Sequence, residues 1–215
     1  MTQARVVFED ERLLAVDKPA GQATIPGRGD IGETLLAQLQ RERGARVFVV
    51  HRLDREAGGL VVFAKDAEAH RRLCAEFAQR RADKAYLAVA AGEMSGEGVC
   101  EQPLREFGSG RVAAAPDGKP SRTRWKVLRR LAGAALLRVE PETGRRHQIR
   151  AHLCALGHPL LGDPLYGPAP RPVGGEPRLL LHALELRVRV WRDYELRVEP
   201  GADFQAAVDS RLTAI

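Results

Sequence analysis

Short apolar runs, each bounded by charged or turn-forming residues, set the rhythm of this chain and predict more strands than helices. Arg5 to Glu9 and Leu13 to Asp17 read as two strands parted by Asp10, Glu11 and Arg12, a hairpin. Leu35, Leu36 and Leu39 then recur at helical spacing up to Gly44, with Asp30 and Glu33 reading as the capping box of that helix. Arg46 to Val50 (RVFVV) and Leu60 to Ala64 (LVVFA) have the β-branched, uninterrupted character of buried strands. Asp66 is placed to cap a second helix whose apolar stripe is Ala69, Leu73, Phe77 and Ala78.

Lys84 to Ala90 alternates as a strand, with Tyr86 and Ala88 on one face. Gly92 to Gly98 reads as a flexible connection and Asp117 with Gly118 as a turn, before an antiparallel pair made by Thr123 to Leu128 and Ala134 to Val139. Pro141 and Gly144 turn the chain into a helix, HQIRAHLCALG, with Ile149, Leu153 and Leu156 toward the core, Arg150 just off that seam and Gly157 as the C-terminal cap. Gly167 to Pro177 is a surface loop by composition, Arg178 to Val190 and Tyr194 to Glu199 are strands, and Asp203 caps a short final helix. This order predicts the α+β class: a single domain over residues 1–215, a mixed, largely antiparallel β-sheet flanked by helices, with no separate domain ahead of it.

A chain of 215 residues can bury roughly 70% of its unfolded surface without a staple. Its three cysteines, Cys74, Cys100 and Cys154, are isolated and odd in number, which points to free thiols and away from a disulfide framework or zinc ribbon. No apolar run is long enough for a signal peptide or a membrane span, so the expected location is cytoplasmic, with no membrane partner. The net charge of +6 matters less than its distribution. No acid lies between Gly118 and Val139, where Lys119, Arg122, Arg124, Lys126, Arg129, Arg130 and Arg138 are found, and Thr143 to Gly162 is also free of acids. A basic face of that kind suits a folded nucleic acid.

Between the two central apolar runs lies the charged turn of HRLDREAGGLVVFAK, with Asp54 in it. An Asp in a glycine-containing turn ordinarily bonds its own backbone and does no chemistry. Here His51, Arg52 and Arg55 crowd the carboxylate, and the basic segment TGRRHQIRAH could converge on it. His147, His152 and His158 are five and six residues apart, spacings that do not align ligands on one helix face, so no metal site is expected.

Taken in order, VDKPAG, HRLDREAGGLVVFAK, KAYLAVAAG, TGRRHQIRAHLCALGHPLLGDPLYG and LLLHALEL resemble the RluA-type pseudouridine synthases from about Phe8 to Glu199. The resemblance implies isomerisation of uridine to pseudouridine in structured RNA, a ribosomal or transfer RNA stem-loop, by a monomer that needs no cofactor and does not act on DNA. It makes Asp54 the catalytic carboxylate, Arg150 its basic partner and Tyr86 the aromatic that stacks on the uracil. Arg52 matches an arginine that some relatives insert toward the vacated base stack; His51, Lys65, Arg145 and His147 are implied to shape the site or meet phosphates. Arg122 and Arg124, with Arg145 and Arg146, are expected phosphate contacts. Ala57 and Gly58 stand where many relatives carry hydroxyl residues, and Arg146 replaces a common small polar one, which bears on the substrate loop and not on Asp54, Tyr86 or Arg150. The alternative is an RNA-binding or RNA-folding protein that has kept the fold and lost turnover.

Overall fold

The computed structural model describes residues 3–27, 32–108, 110–167 and 178–212. Its contacts group into two compact units, Met1–Lys84 with Ala183–Glu199, and Ala85–His182 with Pro200–Ile215. The class is α+β, as the apolar pattern predicted, with four helices among the described residues.

In the first unit β1 (Arg5–Glu9), β2 (Leu13–Lys18), α1 (Leu35–Arg43), β3 (Phe48–Val49), β4 (Gly58–Ala64) and α2 (Ala67–Ala78) follow in order, and the unit closes later with most of β11 (Leu181–Arg189) and with β12 (Asp193–Arg197). Strand order is β1-β2-β4-β11, with β3 also on β4 and β12 on β11. Every residue of β4 is buried, which is why that strand reads as an unbroken apolar run and not as an alternating one. Asp66 caps α2 as expected, its side chain accepting the Ala69 N–H.

Two expectations in this unit are corrected. The cap of α1 is Thr34, whose side chain accepts from Ala37 N–H, and Gly44 ends the helix in the left-handed region at φ 60°; Asp30 lies outside the described residues. The strand read over Arg46 to Val50 shrinks to Phe48 and Val49, paired with Ala64 and Phe63. The reason is local: the next donor along β4, the Val62 N–H, is taken by Nε2 of His51 at 3.1 Å, so a side chain ends the ladder.

The second unit contains β5 (Asp83–Ala91, from Ala85 onward), β6 (Glu97–Cys100), β7 (Leu104–Glu106), β8 (Val112–Ala114), β9 (Thr123–Leu131), β10 (Ala134–Pro141), α3 (Gln148–Ala155) and α4 (Ala202–Asp209). Its strands run in the order β5-β10-β9-β6 with antiparallel ladders throughout, and β7 and β8 form a separate hairpin. Val89, Leu131, Ala134, Leu161, Leu180, Phe204 and Val208 make one core; Leu104, Val112, Ala151 and Tyr166 seat the hairpin against α3.

Several boundaries differ from the sequence reading here. The connection predicted up to Gly98 ends in strand β6, where Gly98 lies opposite Trp125 and a Cβ would stand 2.6 Å from the indole. Glycine is there for close approach, not for flexibility. The hairpin β7–β8 has no pattern long enough to predict. Leu156 follows the last turn of α3 and is exposed, so it is not a core residue. Strand β11 begins at Leu181, and α4 is capped by Gly201; Asp203 lies in its first turn, ion-paired to Arg178 at 2.5 Å. The loop expected from Gly167 to Pro177 falls, beyond Gly167, outside the described residues.

Gly59 tests this packing. At φ 106° its added Cβ would lie 2.4 Å from the Ala183 carbonyl oxygen, whereas Gly44 has no atom within 4 Å of its added Cβ. Gly59→Ala is expected to lose about 4 kcal/mol or more of stability and Gly44→Ala about 1 kcal/mol, measured by urea denaturation.

Candidate active site

In the first unit the candidate carboxylate, Asp54, lies in the turn from Leu53 to Ala57. Asp54 is half-buried, and its carbonyl accepts the Ala57 N–H at 3.2 Å. The residues on either side are fixed independently. Leu53 is held by Thr24, whose buried hydroxyl donates to the Leu53 carbonyl at 3.1 Å and accepts its N–H at 3.2 Å. Arg55 is held by the loop after β2: its carbonyl accepts the Gly21 N–H at 2.8 Å, and its Nε donates to the Gly21 carbonyl at 3.0 Å.

The same Arg55 carbonyl takes a hydrogen bond from Lys18 at 3.2 Å. Lys18 is fully buried, and its ammonium also donates to the carbonyls of Pro19 and Gln22 at 2.9 and 2.7 Å. Neither Lys18 nor Thr24 stood out in the sequence as a site residue. A lysine at the end of a strand that opens with four apolar residues was the available signal for the first.

His51 belongs to this frame as a neutral ring. It stacks on Phe77 with centroids 4.7 Å apart and accepts the Val62 N–H. Burial first, then the nearby charge of Lys84, pushes its pKa down to about 3. Such a ring shapes the turn and carries no charge toward a phosphate. Arg52, next in sequence, is exposed. Lys65 follows the far end of β4, where its ammonium binds the Glu9 carboxylate at 2.7 Å and the Asp10 carbonyl at 2.6 Å; it fastens β4 to the first hairpin. Ala57 and Gly58 are both buried.

In the second unit Tyr86 is half-buried on β5, opposite Val139 of β10. Arg150 on α3 is only 1% exposed, deeper than a position beside the apolar seam implies, because Gln148 through Leu153 are all buried. Its guanidinium is gripped by Asp163, also fully buried, through two parallel hydrogen bonds of 2.8 Å from Nε and Nη2. Gln148 ties the segment down: it accepts from the Thr143 hydroxyl and Arg145 N–H and donates to the Arg122 carbonyl and Thr123 hydroxyl. His147, at φ 50°, places Nδ1 3.2 Å from the Tyr166 hydroxyl. Asp163 and Tyr166 went unassigned in the sequence reading, although both stand in the GDPLYG stretch.

The stretch free of acids in sequence is not free of them in space. Arg122 pairs with Glu101 and Glu142, Arg124 with Glu142, Arg138 with Glu140 and Arg146 with Glu106. Hydrogen bonds from Arg122, then Arg124, hold the Glu142 carboxyl below its usual range. Arg145 donates weakly to the Pro120 carbonyl. The other histidines are engaged separately, His152 with Thr123 and Gln102 and His158 with the Ala91 carbonyl. Among the described residues no group of three or more His, Cys, Asp or Glu is arranged to hold a metal.

Comparison with known proteins now places the chain. Residues 12–155 match the family of RNA pseudouridylate synthases, and the chain belongs to that family. It is 40% identical over 197 residues to ribosomal large subunit pseudouridine synthase D of Nitrosomonas europaea, covering 86% of this chain and 57% of that protein. With the Pasteurella multocida protein of the same name the identity is 37% over 174 residues, 78% of this chain and 54% of the other. The chain thus spans little more than half the length of these relatives. Among solved structures, human RNA pseudouridylate synthase domain containing 1 superposes with a TM-score of 0.79 at 27% identity, covering 92% of this chain and 84% of its own. The family read from the HRLD and HQIR motifs is borne out.

The neutral His51 ring gives a pH prediction. The unfolded chain takes up this proton near pH 6.5 and the folded chain only near 3, so between them the unfolded state binds more protons and stability falls as pH drops. Comparing urea denaturation at pH 7, 6, 5 and 4, His51→Gln should lose stability less steeply than the wild type, by about 1 kcal/mol per pH unit below 6.5.

Proposed function

We propose that this chain isomerises uridine to pseudouridine in ribosomal RNA, with Asp54 as the catalytic carboxylate. The observation that carries the reading is the frame around Asp54: Thr24 bonds the residue before it, and Gly21 and Lys18 bond the residue after it. A turn that serves only to reverse the chain does not need a buried ammonium to hold it. Ribosomal RNA follows from the names of the relatives, which act on the large subunit.

The reaction breaks the bond between uracil N1 and the ribose, turns the base, and joins C5 to the same carbon; the C5 hydrogen is lost to solvent and N1 gains one. The step calls for a small ionised carboxylate beside an electron-poor sugar carbon, acting as nucleophile or as base. Asp54 supplies it. The target nucleotide must leave its stack to be reached, at a cost of a few kcal/mol, and Tyr86 offers an aromatic face for the flipped base. Arg150 offers a guanidinium of fixed orientation. Because Asp163 already balances its charge, its contribution is directional hydrogen bonding more than bare positive potential. Exposed Arg52 and the weakly held Arg145 are better placed to meet RNA phosphates than Arg122 and Arg124, which share Glu142.

The test is tritium release from protein-free large-subunit ribosomal RNA labelled at uridine C5. The wild type releases tritium, and Asp54→Asn releases it at least about a thousandfold more slowly while binding the RNA within a few-fold of the wild type. Retained release by Asp54→Asn removes Asp54 from the chemistry; binding without release by the wild type favours a protein that holds RNA and does not modify it.

A further inference from the structure

Four residues from two segments of the second unit meet on Tyr166. From the β7–β8 hairpin, the Val112 N–H donates to the phenol oxygen at 2.9 Å and the Arg111 guanidinium lies 5.2 Å from the ring centroid. From the HQIR segment, His147 Nδ1 is 3.2 Å from the same oxygen, and the Arg150 guanidinium lies 5.2 Å from the centroid. The hydroxyl accepts from Val112 and has its one proton left for His147. Tyr166 is only 4% exposed, so its hydroxyl bonds are sheltered from water.

Tyr166 also shares a turn with the carboxylate that grips Arg150. Asp163 Oδ1, which bonds Nη2 of Arg150, accepts the N–H groups of Leu165 and Tyr166 at 2.9 and 3.1 Å. One turn therefore presents a carboxylate to the edge of the guanidinium and an aromatic ring beside it, while the hydroxyl of that ring anchors β8. Tyr166 thus touches both β8 and Arg150, alongside the packing of Leu104 and Val112 on Ala151. The hairpin end carries exposed Arg105, Phe107 and Arg111, groups suited to stack on and bind a single-stranded or looped RNA.

We propose that Tyr166 is a positioning residue that couples the placement of the β7–β8 hairpin to the orientation of Arg150. The proposal rests on the reading of Arg150 as an active-site group. It differs from a packing role in what it predicts: loss of the hydroxyl slows the chemical step without weakening RNA binding, and it does so only while the guanidinium is present.

The experiment is single-turnover tritium release at saturating ribosomal RNA by the wild type, Tyr166→Phe, Arg150→Lys and the double variant. Tyr166→Phe keeps the ring and loses two hydrogen bonds; its rate should fall about tenfold, with RNA affinity within about twofold and the melting temperature within a few degrees. In the Arg150→Lys background the same change should cost less than about twofold, because Lys lacks the planar fork that the turn orients. Arg111→Ala, at an exposed position that does not endanger folding, should slow the wild type about two- to threefold.

Unchanged rates in Tyr166→Phe and Arg111→Ala would overturn the coupling, as would a loss confined to RNA affinity or one equally large in the Arg150→Lys background. Should Arg150→Lys itself match the wild type, the reading of Arg150 fails and the coupling with it. A slow Arg150→Lys beside a fully active Tyr166→Phe leaves that reading standing and removes the coupling alone.

Discussion

The Lys18 ammonium, shut away from water and bonded to the carbonyls of Pro19, Gln22 and Arg55, is the constraint on which the placement of the Asp54 turn depends. An ammonium taken out of water without partners costs several kcal/mol. Here three carbonyl dipoles replace its hydration, and they come from two stretches of chain far apart in sequence. The loop after β2 and the turn that carries Asp54 are therefore obliged to stay together: separating them strands both the charge and the carbonyls. The Gly21–Arg55 bonds and the two Thr24–Leu53 bonds then fix the register of that turn. Next to it, at Gly59, β4 approaches Ala183 too closely for any side chain. A carboxylate held in this way is oriented by the backbone before any substrate arrives, which is what preorganised catalysis requires.

The second unit solves the same problem with side chains. Arg150 is buried because Asp163 meets its fork, and Asp163 is in turn held in place by the N–H groups of Leu165 and Tyr166. Gln148 spends all its hydrogen-bonding capacity on Thr143, Arg145, Arg122 and Thr123, and so pins the start of α3 to β9. Pairs of this kind add little net stability. Their value is direction: each polar group has one arrangement in which it is satisfied, and that arrangement sets where the guanidinium points.

Much of this was legible in the sequence, and the parts that were not share a cause. Strand and helix positions followed from apolar periodicity, and the family followed from the HRLD, KAYLAV and HQIR motifs, whose resemblance made Asp54, Tyr86 and Arg150 the candidates. What escaped depends on partners distant along the chain. Lys18 looks like a strand-ending lysine until Arg55 is folded against it. The basic run from Lys119 to Arg138 looks unopposed until Glu97, Glu101, Glu140 and Glu142 are brought alongside by the β6–β9 and β9–β10 ladders and the turn beyond them. His51 reads as one of the residues crowding Asp54, yet its ring turns to β4 and accepts the Val62 N–H as a neutral group. Hairpin β7–β8 has three residues per strand, too few for a period to show.

With Asp54 as the proposed catalytic carboxylate, the frame around it, and not its mere presence, sets the rate. The most direct measurement is single-turnover tritium release from C5-labelled ribosomal RNA by Thr24→Val, which keeps the shape of the side chain and removes both bonds to Leu53. A rate about tenfold below the wild type is expected, with the chain still folded and RNA still bound. A Thr24→Val protein as fast as the wild type would show that Asp54 finds its place without the frame, and would contradict the account.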